Sequence, residues 1–100
     1  MAKQDAAAWR LRRSLARVEA VDQVLADYAA SWVGLPVRRR DLPWPQHPSV
    51  TWSIDNEVMV ELLHHDSGPD RLLVHEVALL QPLRKRLRSR HTKIDYVPRG

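Results

Sequence analysis

Between Asp5 and Val33 the chain contains neither glycine nor proline, and its apolar residues recur at helical spacing. A run of that length constrains the fold more than anything else in the sequence, because it has to be one long helix. Leu11, Leu15, Val18, Leu25, Ala29 and Trp32 follow one another in steps of four and three around Asp22, with Val21 and Tyr28 widening the stripe. Gly34 and Pro36 are ordinary stop signals, so the predicted helix covers 5–33. Asp22 is the one polar residue on the stripe. Such a face must be buried, either against the chain's own sheet or against a second copy; packing within its own domain is the simpler outcome.

The period then changes. Residues 34–48, GLPVRRRDLPWPQHP, hold four of the seven prolines, a density that blocks helix and central strand alike and predicts an extended surface connection. After it, Val50, Trp52 and Ile54 alternate with Thr51, Ser53 and Asp55, the pattern of a half-buried strand. Asp55-Asn56 reads as a tight turn into EVMVELLHH, a strand apolar on both faces and therefore central. DSGPD at 66–70 is a loop signal.

RLLVHEVALL admits two readings. As a strand it pairs with EVMVELL across the loop; as a helix from Ser67 it would present Leu73, Val77, Leu80, Leu83 and Leu87 on one face. Pro82 would remove a hydrogen bond from the interior of that helix but is comfortable near the start of a shorter one. The preferred reading is a strand at 71–77, a helix at 81–91 and a closing strand at 93–97. One hundred residues suit a single domain over 1–100, with 49–100 supplying sheet plus helix. The expected architecture is α-β-β-β-α-β, an α+β fold: a long N-terminal helix, an antiparallel sheet of three to four strands and a short basic C-terminal helix, the helices against one face.

Composition narrows the function classes. Absence of cysteine excludes disulfides, thiolate metal sites and thiol catalysis, and fits a reducing cytosol. No apolar run approaches the roughly 18 residues of a membrane span, so a soluble, cytoplasmic protein without membrane partners is expected.

Charge is sorted along the chain. Residues 1–40 carry eight bases against four acids, 41–80 one base against seven acids, and 81–100 seven bases against one acid. Arg84, Lys85, Arg86, Arg88, Arg90 and Lys93 place six cations within ten residues. Such a density draws polyanions, and guanidinium groups bind phosphate oxygens bidentately, so these residues are candidate phosphate contacts. Arg38, Arg39 and Arg40 with Trp44 form a second candidate, combining charge with a stacking surface as single-strand binders do. Arg10, Arg12, Arg13 and Arg17 are a third basic group.

Catalytic signatures are incomplete. His64, His65 and Asp66 across a hairpin from His75 make a metal site conceivable, but HEVAL has Leu79 where a zinc-protease helix needs its second histidine. Asp70 and Glu76 flank a strand as the acids of metal-dependent nucleases do, yet Ala78 stands where a lysine is needed. With three glycines a phosphate-cradling loop is out of reach. The expectation is a chain that is not an enzyme and binds no cofactor or metal.

From Val24 onward the order of features resembles the small domain of the DciA-type bacterial replicative-helicase loaders. Tyr28 or Trp32 with Val33-Gly34 would close its first helix, followed by HPSVTWSIDNEVMVEL, VALLQPLRKRL and KIDYVPRG. The resemblance implies a fold like the K-homology domain, DNA contact through basic residues in DNA replication, and docking onto a helicase. Charge and resemblance together predict a small nucleic-acid-binding module, with DNA favoured over RNA. The competing expectation is a protein-interaction adaptor, or a homo-oligomer, whose acidic Asp55, Glu57, Glu61, Asp66 and Asp70 face a basic surface.

Overall fold

The long helix forms, and its described side chains pack from Arg17 onward. In the computed structural model, which describes residues 2–31, 36–41, 49–63, 69–87 and 92–98, helix α1 runs Ala2–Ala30; for residues 2–14 and Ser49 only the backbone is described. Val18, Val21, Val24 and Leu25 are buried, with Tyr28 and Ala29 half-buried beside them. Leu15, assigned to the same stripe by its spacing, is 52% exposed. Among the described side chains the inward face therefore begins at Arg17 and Val18 and leaves Leu15 outside it.

Strands β1 (Val37–Asp41), β2 (Ser49–Ile54), β3 (Glu57–Leu63), β4 (Asp70–Val74) and β5 (Thr92–Tyr96) form one sheet in the order β1-β2-β3-β4-β5. β3, the strand apolar on both faces, occupies the centre. β2 and β3 are joined through Asp55 and Asn56 at φ 52° and 64°. Two successive left-handed residues are what a two-residue hairpin of matching twist requires, and Asp and Asn tolerate that region best after glycine. Trp52 opposes Val60 while Ser53 opposes Val58, so Met59 is an extra residue in β3. The bulge lets Met59 and Val60 both be buried although they are consecutive.

Two expectations are corrected here. Among the described residues the sheet has five strands, not three to four, because the proline-rich connection contains β1. Proline is tolerated beside an edge strand, and β1 is an edge strand exposed along its whole length. The sheet is also mixed: β1 to β4 run antiparallel, but β5 lies parallel to β4. The crossover between them is a 3₁₀ turn, Val77–Leu79, followed by helix α2, Leu80–Arg86. A connection carrying a helix returns the chain to the sheet in the same direction, so the sheet is mixed where an antiparallel one was expected. RLLVHEVALL divides into a strand and a helix as the strand reading has it, but the strand ends at Val74 instead of 77, because the 3₁₀ turn capped by Glu76 takes up Val77, and the helix starts at Leu80. Pro82 is the third residue of α2, where its missing N–H has no intrahelical partner to lose. The helix is shorter than the predicted 81–91.

Both helices cover the same face. Val21 and Leu25 of α1, Leu79 and Leu83 of the crossover, and Trp52, Val60, Leu62, Leu72 and Val74 of the sheet belong to one buried cluster. Each fully buried Leu or Val contributes roughly 1.5–3 kcal/mol relative to exposure. The other face carries Thr51, Glu61, Leu73 and Asp95 in register, all half-buried. Among the described residues, no helix is long and apolar enough to cross a membrane.

Candidate nucleic-acid interface

Asp22, the polar residue on the apolar stripe, explains one of the arginine triplets. Its Oδ1 accepts the indole N–H of Trp52 at 2.7 Å, and its Oδ2 accepts from Arg39 Nη1 at 2.6 Å. Arg39 Nε lies 3.1 Å from Asp41 Oδ1. Trp52 is fully buried, and a buried indole N–H left without an acceptor costs on the order of 1–3 kcal/mol. Asp22 is thus the acceptor that allows a tryptophan at the centre of β2, and Arg39 balances its charge. Arg39 is committed to α1 and to its own strand.

Alternation places the neighbours of Arg39 elsewhere. Arg38 opposes Ser53 and Arg40 opposes Thr51, which puts both on the open face of the sheet, away from the helices. Both are exposed and ion-paired with no described residue. Trp44, their proposed stacking partner, lies outside the described residues, as do Arg88 and Arg90. Lys93 is exposed on β5, on the same open face, opposite Arg71, which pairs with Asp95 at 3.1 Å.

Arg84, Lys85 and Arg86 fill the last turn of α2 and are all exposed. Their outward placement follows from Leu79, Leu83 and Leu87, buried at steps of four, which turn the intervening residues to solvent. None of the three forms an ion pair with a described residue. Cations are stabilising at a helix C-terminus by roughly 0.3–1 kcal/mol, which accounts for one of them better than for three in succession. The helical turn also divides them. Arg84 lies on the flank away from Pro82, while Lys85 and Arg86 line a groove of about 440 Å³ with Pro82 and with Val24, Asp27 and Tyr28 of α1.

Among the described residues, the structure therefore does not bring the basic groups together. The α2 cations are in the helical layer, Arg38, Arg40 and Lys93 are on the opposite face, and Arg39 is internally neutralised. Arg17 leaves the third group altogether: it is buried and ion-paired with Asp70, itself 2% exposed. The side chains of Arg10, Arg12 and Arg13 lie outside the described residues.

The other candidate chemistry is bound up in structural contacts as well. His75 Nδ1 is 2.8 Å from the Val97 carbonyl and Nε2 is 2.8 Å from Glu61 Oε2, so both ring nitrogens face acceptors. Glu76 Oε1 accepts from the Ala78 N–H at 3.4 Å and caps the 3₁₀ turn. Among the described residues, no three His, Asp or Glu side chains gather as a metal site; His64, His65 and Asp66 lie outside them. The proposed acidic surface loses two members, because Asp70 is buried against Arg17 and Glu61 is engaged by His75. Asp55 and Glu57 remain exposed.

Sequence reasoning missed two features. The partner of Asp22 was signalled by its place on the stripe, but nothing in the sequence pointed to Trp52 thirty residues on. The groove between α1 and α2 had no signal, since it depends on how two helices meet. The chain matches no known protein family, no curated protein and no solved structure.

Proposed function

We propose that this protein is a small non-enzymatic nucleic-acid-binding module whose contact with the phosphate backbone is made by the end of α2. The observation that carries the reading is the exposed run Arg84, Lys85, Arg86, without an acidic partner among the described residues and anchored from beneath by Leu79, Leu83 and Leu87. Arg88 and Arg90 extend the same basic run in sequence. On the helix-covered side of the sheet, Arg17 of α1 and Arg39 of β1 are neutralised by Asp70 and by Asp22. Three guanidinium or ammonium groups held on a rigid turn give salt-sensitive, sequence-independent affinity. The resemblance to the replicative-helicase loaders supports DNA as the polymer and a helicase as a protein partner in DNA replication.

Fluorescence anisotropy of labelled single-stranded DNA, duplex DNA and RNA, repeated over a salt series, tests this. The expected result is binding whose log–log salt slope becomes shallower by about 2.7 in Arg84→Ala/Lys85→Ala/Arg86→Ala, at about 0.9 per phosphate contact on duplex. An unchanged slope would remove α2 from the interface.

A second reading has one observation in its favour. β1 is an edge strand with all five residues exposed, open to main-chain pairing with another chain. Self-association or adaptor binding through that edge would persist in the α2 variant and fail on adding a proline within 37–41.

A further inference from the structure

We infer that the groove between α1 and α2 receives a base from a single-stranded polynucleotide whose phosphates lie on the α2 cations; the inference rests on the phosphate-contact reading above. Val24, Asp27 and Tyr28 on α1 and Pro82, Lys85 and Arg86 on α2 are each spaced i, i+3, i+4, so each helix turns one stripe toward the other. The space between them, about 440 Å³, falls within the roughly 300–1,000 Å³ of sites that enclose small molecules.

Its chemistry is specific in kind. Tyr28 and Pro82 contribute rings to the lining and Val24 is buried, while Lys85 and Arg86 are exposed and bring two cations on long apolar stems to the same groove. A purely apolar occupant would desolvate two cations without an anion to meet them. An acidic peptide would meet the cations but brings no flat ring on the same unit as its charge. A nucleotide has both, a π-face and a phosphate one sugar apart, and base–aromatic stacking is indifferent to base identity. Bases in a duplex are already stacked and paired and must be extruded first, so the groove favours single strands. Asp27, exposed at the same groove and hydrogen-bonded by Gln23 at 2.9 Å, brings a negative charge that opposes the phosphate.

The test compares the unmodified protein on a deoxythymidine oligonucleotide and on an abasic oligonucleotide of equal length, which has the same phosphates and no bases. The expected result is about tenfold weaker binding of the abasic strand, in keeping with one stacked base. Tyr28→Ala should abolish that difference while Tyr28→Phe preserves it. Asp27→Asn, a surface change that leaves the core untouched, should tighten binding of the intact strand several-fold. Equal affinity for the two strands, or no response to Asp27→Asn, would overturn the groove and leave the phosphate reading standing. Binding to neither strand would overturn both. A glutamate-rich peptide that binds as tightly as the oligonucleotide, to Tyr28→Ala as well, would overturn the groove in favour of a protein partner.

Discussion

The two arginine-rich triplets look alike in sequence and differ in almost every physical respect. Arg38–Arg40 lie on a strand, which sends Arg39 toward the helical layer and Arg38 and Arg40 to the open face. Arg84–Arg86 lie on a helical turn, which keeps all three at one end of one element. In the strand the middle arginine meets two carboxylates, Asp22 and Asp41, and is consumed by the fold. On the helix the buried partners are leucines, which leave the charges unanswered among the described residues. Three cations in a row stay available at the surface only where the core beneath them is apolar and no carboxylate faces them.

Breaking the support under each triplet gives the largest effects. Leu83→Ala removes a fully buried side chain beneath the α2 cations and should lower stability by about 2–5 kcal/mol, read as a shift in the urea midpoint. Asp22→Ala should come next, at about 2–3 kcal/mol, since it strands the Trp52 indole N–H and frees Arg39. Asp22→Asn, which keeps an acceptor, should recover part of that loss; equal losses in the two variants would mean that the indole bond matters little. His75→Ala should cost about 1–2 kcal/mol by unfastening Glu61 and the Val97 carbonyl, with thermal unfolding as the measurement. Smallest of all, Arg38→Ala/Arg40→Ala should leave stability within about 0.5 kcal/mol of the parent, because neither side chain is buried or ion-paired among the described residues. A larger loss there would mean that the open face has partners of its own.

Much of the fold was legible because it depends on short-range pattern. The alternation of Val50, Trp52 and Ile54, the left-handed Asp55-Asn56 turn and the inward Leu83 and Leu87 all follow from residues within one element. What failed depends on distant geometry. β1 was hidden by flanking prolines, which exclude a central strand but not an edge strand. The parallel pairing of β5 with β4 is set by the crossover through α2, whose direction no local pattern encodes. Arg17 and Arg39 read as surface cations because their partners, Asp70 and Asp22, lie 53 and 17 residues away. The α2 cluster was visible as a charge run, whereas its division between a free flank and a groove required the position of α1.

The most direct test measures the salt dependence of single-stranded DNA binding for the parent protein, the α2 triple alanine variant and Arg38→Ala/Arg40→Ala, side by side. At about 0.7 per phosphate contact on a single strand, the account predicts a slope shallower by about 2 for the α2 variant and unchanged for the strand variant. Equal slopes for all three proteins, or a loss confined to the strand variant, would contradict it.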